Sequence, residues 1–180
     1  MCLCYCRLCL PILKAFFLPY VLLPAGDGPG GVVTHDFDGN GRADIVVANS
    51  NAESISVYLS QPGGGFVGPT DYPTGRLPYD LVVRDFNSDN RADLAISNGE
   101  TNDISIYNGM GDGSFNSHAR YATGPGPRCI VSADFDDDGR LDLATANTVW
   151  GSSNGSVSVV YGQSGGGFGL PQDYTIGMEG

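Results

Sequence analysis

Short runs of apolar residues recur along most of the chain, and tight turns separate them. The clearest run alternates apolar and small polar residues. It occurs three times, at residues 55–58, 104–107 and, in a longer form, 157–161. An alternation of period two is typical of a strand with one buried face. With its many glycines and no apolar pattern of helical period, the chain is predicted to be all-β.

Each copy of this strand belongs to a repeat of four predicted strands. The first strands are predicted at 32–35, 81–84 and 130–133, and the second at 45–48, 94–97 and 143–146. A Gly-rich turn and an aromatic residue precede the fourth strand of each repeat. Four short strands per repeat predict the blade of a β-propeller. Residues 26–180 are therefore predicted to form a β-propeller segment of three four-stranded antiparallel blades. The ring is incomplete or open, because propellers usually have roughly 4–8 blades.

An acidic loop joins the first two strands of every repeat. Its opening residues Asp36, Asp85 and Asp134 lie 49 residues apart, and a fixed period is a repeat signature. Side chains with oxygen atoms stand at loop positions 1, 3, 5 and 9. This spacing lets a tight turn point short side chains at one hard cation, and Ca²⁺ takes about six to eight oxygen ligands. The loops therefore predict up to three Ca²⁺ ions.

Two further loop positions repeat. Position 6 is Gly or Asn in every copy, which predicts a left-handed backbone there. Position 7 is always Arg, whose guanidinium cannot bind a cation. We expect its backbone carbonyl to be a ligand and its side chain to pair with a nearby acid. These residues are Gly41, Asn90 and Gly139 at position 6, and Arg42, Arg91 and Arg140 at position 7.

The EF-hand is the main alternative for such a loop. An EF-hand needs a bidentate Glu at position 12 and flanking helices. Position 12 here is Val47, Ile96 or Thr145, and a β-prone segment follows each loop. The pattern therefore favours a calcium loop within a β-hairpin over an EF-hand.

Charge narrows the classes of partner. The formal net charge is −11, from 9 basic and 20 acidic residues. The acidic loops hold eleven of those acids, so the acidity is local and suits metal binding. A negative chain argues against nucleic acid, which is bound by basic patches.

Residues 1–25 lie outside the predicted repeats. This segment is apolar and contains four cysteines, with prolines and a lysine that interrupt a spanning helix. Three interpretations stay open: a cleaved signal peptide, a retained membrane anchor, and a truncated or misjoined start. A metal site is disfavoured because the cysteines stand in an apolar setting with no histidine nearby.

The segment Phe66-Val67-Gly68-Pro69, together with the acidic loops, resembles the FG-GAP/VCBS repeat, the blade unit of integrin α-subunit propellers. The resemblance covers residues 26–180. It implies that the loop between the first two strands binds Ca²⁺. The implied ligands are Asp36, Asp38, Asn40, Arg42 and Asp44; Asp85, Asn87, Asp89, Arg91 and Asp93; and Asp134, Asp136, Asp138, Arg140 and Asp142, each Arg through its carbonyl.

A partner-binding surface is expected on the face opposite the acidic loops. Successive connections of an antiparallel blade alternate between its two ends, so the longer connection of the third repeat falls opposite its acidic loop. It carries Trp150 and the glycosylation sequon at Asn154. Arg76 and Tyr79 follow a connection on the same face. Loops on a rigid scaffold concentrate binding residues, and packing of Trp150 against the blade is the alternative.

The sequence thus predicts an extracellular or cell-surface calcium-binding repeat module that binds a protein or glycan, with possible self-association to complete a propeller. Membrane contact is expected only through residues 1–25. No catalytic residue is predicted, because His35 and His118 stand in different repeats and no catalytic motif accompanies them. The alternative is an accessory propeller fragment of a secreted enzyme that acts on polysaccharides or lipids.

Overall fold

The computed structural model describes residues 22–116, 118–148 and 155–176. Twelve strands are present in these ranges. The first blade comprises β1 (Pro29–His35), β2 (Asp44–Asn49), β3 (Ser54–Ser60) and β4 (Phe66–Pro73). The other eight strands are β5 (Pro78–Arg84), β6 (Asp93–Asn98), β7 (Asp103–Tyr107) and β8 (Ala119–Ala122) in the second blade, and β9 (Pro127–Ala133), β10 (Asp142–Thr148), β11 (Gly155–Val160) and β12 (Gln172–Ile176) in the third.

Each group of four strands forms one antiparallel sheet whose strand order follows the sequence. The predicted three four-stranded antiparallel blades are therefore confirmed. The first strand of the second blade, β5, contacts both β1 and β9, which places the blades side by side as in an open propeller. Among the described residues, no helix is long and apolar enough to span a membrane.

Burial follows from this stacking. Every residue of β6 and β7 is buried, because the second blade has a neighbour on both sides. One apolar cluster fills the space between the first and second blades, and another lies between the second and third. The core is thus divided between two blade interfaces, and the apolar residues of both sheet faces are used.

Aromatic residues close each interface near the acidic loops. Phe37 of the first loop packs edge-on against Phe115 of the second blade, with ring centroids 5.4 Å apart. Phe86 of the second loop packs in the same way against Phe168 of the third blade, at 5.7 Å. Such pairs add about 0.5–1.5 kcal/mol beyond their buried area. The Phe at loop position 2 therefore ties its blade to the next one.

An Asn at or next to the end of each second strand is a buried hydrogen-bond donor. Asn49, Asn98 and Asn147 are buried strand residues. Each Nδ2 donates to a serine hydroxyl of the third strand, at 2.8 Å to Ser56 Oγ in the first blade, and Asn98 also donates to the Asp103 carboxylate. A buried amide needs such partners. The alternating serines, which a strand pattern assigns only to a polar face, supply them.

Tyr107 yields a prediction for pH. It is 1% exposed, and its hydroxyl donates to the Pro73 carbonyl of the preceding blade. Burial, with a smaller contribution from Tyr72, raises the pKa of Tyr107 from 10.0 to about 12. Between these values the unfolded chain releases a proton that the folded chain retains, so stability falls as pH rises. At about 1.4 kcal/mol per unit, we expect a loss of about 2 kcal/mol in unfolding free energy between pH 10 and 12.

Urea denaturation across that pH range would measure the loss. Tyr107→Phe is the matched control, because it keeps the ring and removes the titrating hydroxyl. The variant should show a visibly flatter pH dependence than the original chain. Equal slopes for the two proteins would contradict the assignment.

Candidate metal centre

The opening Asp of each acidic loop holds the turn together. In the first loop, Asp36 accepts backbone N–H groups from Asn40 at 2.9 Å and from Gly41 at 2.7 Å. Asp85 and Asp134 accept the corresponding pairs in their loops. The three loops therefore share one backbone shape, with the side chains of positions 1, 3 and 5 on its inner side.

The loop shape depends on left-handed residues at two positions. Position 6 is left-handed in all three loops, with φ of 80°, 64° and 85° at Gly41, Asn90 and Gly139, which confirms the prediction. Position 4 is left-handed as well, which the sequence pattern does not predict. Gly39 at that position is a signal for it, but Ser88 (φ 61°) and Asp137 (φ 60°) are not. A side chain makes the left-handed conformation less favourable, so Ser88 and Asp137 destabilise their loops relative to glycine at this position.

The closing Asp at position 9 fastens the loop to the far end of the third strand. Asp44 accepts the Phe37 N–H at 2.9 Å with one oxygen and the Ser60 N–H at 2.8 Å with the other. Asp93 and Asp142 make the same two bonds in their blades. All three side chains are 0% exposed. Position 9 is therefore structural whether or not a metal is bound, a role that spacing alone does not reveal.

Asp93 illustrates the electrostatics of this buried position. Burial raises the pKa of Asp93, the N–H groups of Gly109 and Phe86 oppose that rise, and the negative charges of Asp89 and Asp85 add to it. A cation among these carboxylates would favour the ionised form.

The Arg at position 7 behaves in two ways. Arg91 pairs with Asp89 at 2.7 Å and donates through Nε to the Gly109 carbonyl at 3.0 Å. Arg140 makes the same contacts with Asp138 and Gly162. The predicted pairing with an acid is confirmed in these two loops. It does not occur in the first loop, where Asn40 replaces the position-5 acid; the buried Nε of Arg42 has no hydrogen-bond partner among the described residues.

Two of the loops gather three carboxylates. In the first loop, carboxylate oxygens of Asp36, Asp38 and Asp44 lie within 4.8 Å of one another. In the third loop, those of Asp134, Asp136 and Asp138 lie within the same distance. The second loop has Asn87 at position 3, so its close oxygens include an amide oxygen. Hard oxygen donors at this separation fit a calcium ion, and the donor sets fit a softer metal poorly because no Cys or His belongs to them.

The pKa values of the loop carboxyl groups shift in different directions. For Asp36, burial raises the pKa, but the N–H groups of Gly41 and Asn40 outweigh it and hold the pKa below the ordinary value. For Asp136, burial and then the charges of Asp142 and Asp134 raise the pKa. In the third loop, the negative charges of the neighbouring acids therefore destabilise the ionised form of Asp136, the position-3 carboxylate.

A family model described as the FG-GAP-like repeat matches residues 36–96 and, in an overlapping match, residues 85–145. The two matches together cover more than half of the chain. The chain belongs to the FG-GAP-like repeat family. The matched segments begin at the opening Asp of the first and second loops, so the acidic loops are part of the FG-GAP-like repeats.

Similarity in structure extends further than the matched repeats. The crystal structure of a functionally unknown protein from Desulfotomaculum acetoxidans DSM 771 superposes with a TM-score of 0.63 at 14% identity. The alignment covers 86% of this chain and 44% of that protein, so the FG-GAP-like chain spans less than half the length of this similar structure. At this identity the similarity shows the fold alone. No curated protein matches the chain by sequence.

The opposite face of the FG-GAP-like repeats carries two of the predicted partner-binding residues. Arg76 lies beside the turn between β2 and β3, where it pairs with Glu53 at 3.2 Å and with Glu100 at 2.7 Å. Tyr79 lies under the Arg128 guanidinium, 4.6 Å from its ring centroid. Trp150 and Asn154 fall outside the described residues. Arg76 and Tyr79 are therefore at the end of the blades away from the acidic loops, as predicted.

A cleft between the second and third blades opens on this face. Its volume is about 320 Å³, and its lining is mainly apolar. Residues that line it include Leu77, Tyr79, Pro125, Arg128 and Thr148. The cleft presents the Arg128 guanidinium stacked over the Tyr79 ring beside apolar side chains, which suits a ligand with both apolar and polar groups.

The role of position 9 gives a prediction for stability. In Asp93→Asn, the amide group would face one of two backbone N–H groups that need an acceptor. Leaving one buried donor unsatisfied costs about 1–3 kcal/mol, and we expect the free energy of unfolding to fall by that amount. Chemical denaturation in the presence of a chelator would measure it without any contribution from bound metal.

Asp112→Asn is the matched control. Asp112 is an exposed acid in the turn after β7, where it accepts a hydrogen bond from Ser114. Its substitution should change stability by about 0.5 kcal/mol or less, as exposed substitutions do. Equal losses in the two variants would show that the buried hydrogen bonds at position 9 are not what holds the loop.

Proposed function

We propose that this chain is an extracellular calcium-binding repeat module whose ions are structural. The supporting observation is the pair of carboxylate clusters within 4.8 Å in the first and third loops. Like charges at that distance repel, and a divalent cation would relieve the repulsion. The loop backbone holds these side chains in place through its own hydrogen bonds. We infer a third, weaker site in the second loop.

The proposed ligands are those named from the sequence. Positions 1, 3, 5 and 9 would offer side-chain oxygens, and position 7 would offer a backbone carbonyl. When bound, Ca²⁺ would supply positive charge that cancels the repulsion and fixes the loops. In the second and third loops, the guanidinium of Arg91 or Arg140 already neutralises part of the position-5 carboxylate.

We also propose that the module binds a protein or glycan rather than catalysing a reaction. His35 and His118 lie in different blades. His35 packs against Phe37 with ring centroids 5.4 Å apart, and His118 packs against Tyr107 at 5.0 Å. Both histidines thus have aromatic packing partners; His35 adjoins the first carboxylate cluster, where it pairs with Asp44 in the strand register. The face with Arg76 and Tyr79, together with Trp150, is the proposed binding surface.

Calcium should stabilise the fold by mass action. At a free concentration about 100 times the dissociation constant, one site contributes about 2.7 kcal/mol. For a chain of this size, that corresponds to a rise in melting temperature of roughly 5–10 °C. Calorimetry with calcium and with a chelator would measure the shift. A melting temperature that does not change would contradict structural calcium.

Single substitutions would rank the sites in the same experiment. Charge count favours the third loop, which has four carboxylate ligands, over the first, and the second loop is expected to be weakest. Asp134→Ala should therefore remove more of the calcium-dependent shift than Asp36→Ala or Asp85→Ala. Asp112→Ala is the control outside the loops and should leave the shift intact. Loss of the tightest site in Asp85→Ala would contradict the ranking.

The binding face has its own test. Arg76→Ala and Trp150→Ala should each weaken binding to an immobilised glycan or matrix protein about tenfold, because Trp and Arg are enriched in binding hot spots. Arg84→Ala is the matched control, since Arg84 is an exposed arginine at the other end of β5. Arg76→Ala and Trp150→Ala should leave the melting temperature and its calcium dependence unchanged. Equal weakening by Arg84→Ala would place binding elsewhere.

A further inference from the structure

Every blade has two different apolar sides. We define the leading flank as the side that faces the preceding blade and the trailing flank as the side that faces the next. In the junction between the first two blades, Phe115 of a leading flank packs against Phe37 and Tyr72 of a trailing flank, at 5.4 and 5.6 Å. The next junction repeats this arrangement with Phe168, Phe86 and Tyr121. One mode of blade packing therefore occurs twice in the molecule.

The leading flank of the first blade exposes the residues that this packing buries elsewhere. Val32 is 61% exposed, whereas Leu81 and Ile130, at the same position of the other two blades, are each 4% exposed. Phe66 is 36% exposed, whereas its counterpart Phe115 is 8% exposed. The leading flank of the first blade therefore exposes the same kinds of apolar residue that are buried between blades elsewhere in the chain.

The trailing flank of the third blade is exposed in the same way. Phe135 is 46% exposed, whereas its counterpart Phe37 in the first loop is 4% exposed. Tyr174 is 50% exposed and Val131 is 57% exposed, although their counterparts Tyr72 and Val33 pack against a core cluster. Large apolar groups that are exposed together mark an interaction surface.

We propose that the trailing flank of the third blade binds the leading flank of the first blade of a second copy. A second copy offers surfaces that fit. Within the chain, a leading flank packs against a trailing flank at both junctions, and each copy exposes one flank of each kind. The contact would be heterologous, head to tail, since the two surfaces differ. Such a contact leaves one free flank on each copy, and a ring forms if the rotation closes.

One part of the junction must differ between copies. Within the chain, Tyr107 donates its hydroxyl hydrogen bond to the Pro73 carbonyl of the preceding blade. In the first blade, Tyr58 donates to the Pro24 carbonyl of its own chain. Thr175 of a docked copy corresponds to Pro73 and cannot take that place as well. The end of β12 of the docked copy would therefore take a different path from β4 and leave the Pro24 contact in place. The contact between copies would be formed by the apolar flanks and by the aromatic residues near the loops.

Charge sets the conditions for association. Two copies with a net charge of −11 repel each other. Salt at about 0.15 M shortens the screening length to about 8 Å, so the apolar contact is favoured at this ionic strength over dilute buffer. The contact does not involve bound calcium, so association is measured both with calcium and with a chelator.

Sedimentation velocity on the full chain at increasing concentration tests the proposal. We expect a dimer or larger assembly that grows with concentration. Val131→Asp and Val32→Asp should each weaken association about tenfold or more, since a buried charge opposes the contact. Met110→Asp is the matched control, because Met110 is 43% exposed in the turn after β7, away from both outer flanks. It should associate like the original chain.

Mixing the two disrupted variants gives the sharper result. Val131→Asp keeps an intact leading flank and Val32→Asp keeps an intact trailing flank, so the mixture should form a dimer that neither variant forms alone. Recovery would also show that both variants are folded. A chain that stays monomeric at all concentrations, association that survives both substitutions, or a mixture that stays monomeric while Met110→Asp associates would each overturn the proposal.

Discussion

A buried carboxylate that accepts two backbone N–H groups is the contact on which each blade depends. Asp44, Asp93 and Asp142 stand at the first residue of a second strand and reach both the acidic loop and the end of the third strand. Without the carboxylate, two buried donors would have no acceptor, which is costly in a low-dielectric interior. The same bonds place the loop backbone so that the remaining acids converge. The fold thus prepares the proposed metal site before any ion is bound.

Repetition extends this arrangement into a stack. Each blade buries apolar residues on both faces only where it has two neighbours, as in the fully buried β6 and β7. The Phe at loop position 2 extends the acidic loop into the interface with the next blade, so the order of the loop and the packing of the blades are linked. Repeat proteins of this kind depend on contacts between neighbouring units. The exposed flanks of the first and third blades follow from the same logic.

The sequence predicted the strands, the loops and their order well, because these features depend on local alternation and on the 49-residue period. It also predicted the left-handed residue at position 6, where Gly and Asn are a direct signal. It did not predict the left-handed Ser88 and Asp137, whose side chains disfavour that conformation. The buried hydrogen bonds of Asn49 and Asp44 were missed as well, because their partners come from other strands. From sequence alone, a repeated polar residue is interpreted as a turn residue or a metal ligand. Its buried hydrogen bonds become evident only when the neighbouring strands are known.

We propose that Ca²⁺ binds in the acidic loops. A crystal structure of the chain grown with calcium, with anomalous difference density used to locate the ions, would test it directly. We expect an ion bound by Asp36, Asp38 and Asp44 and another bound by Asp134, Asp136 and Asp138, each also contacted by the carbonyl at position 7. Loops with the same backbone, no anomalous peak at either cluster, and only hydrogen-bonded water between the carboxylates would contradict it.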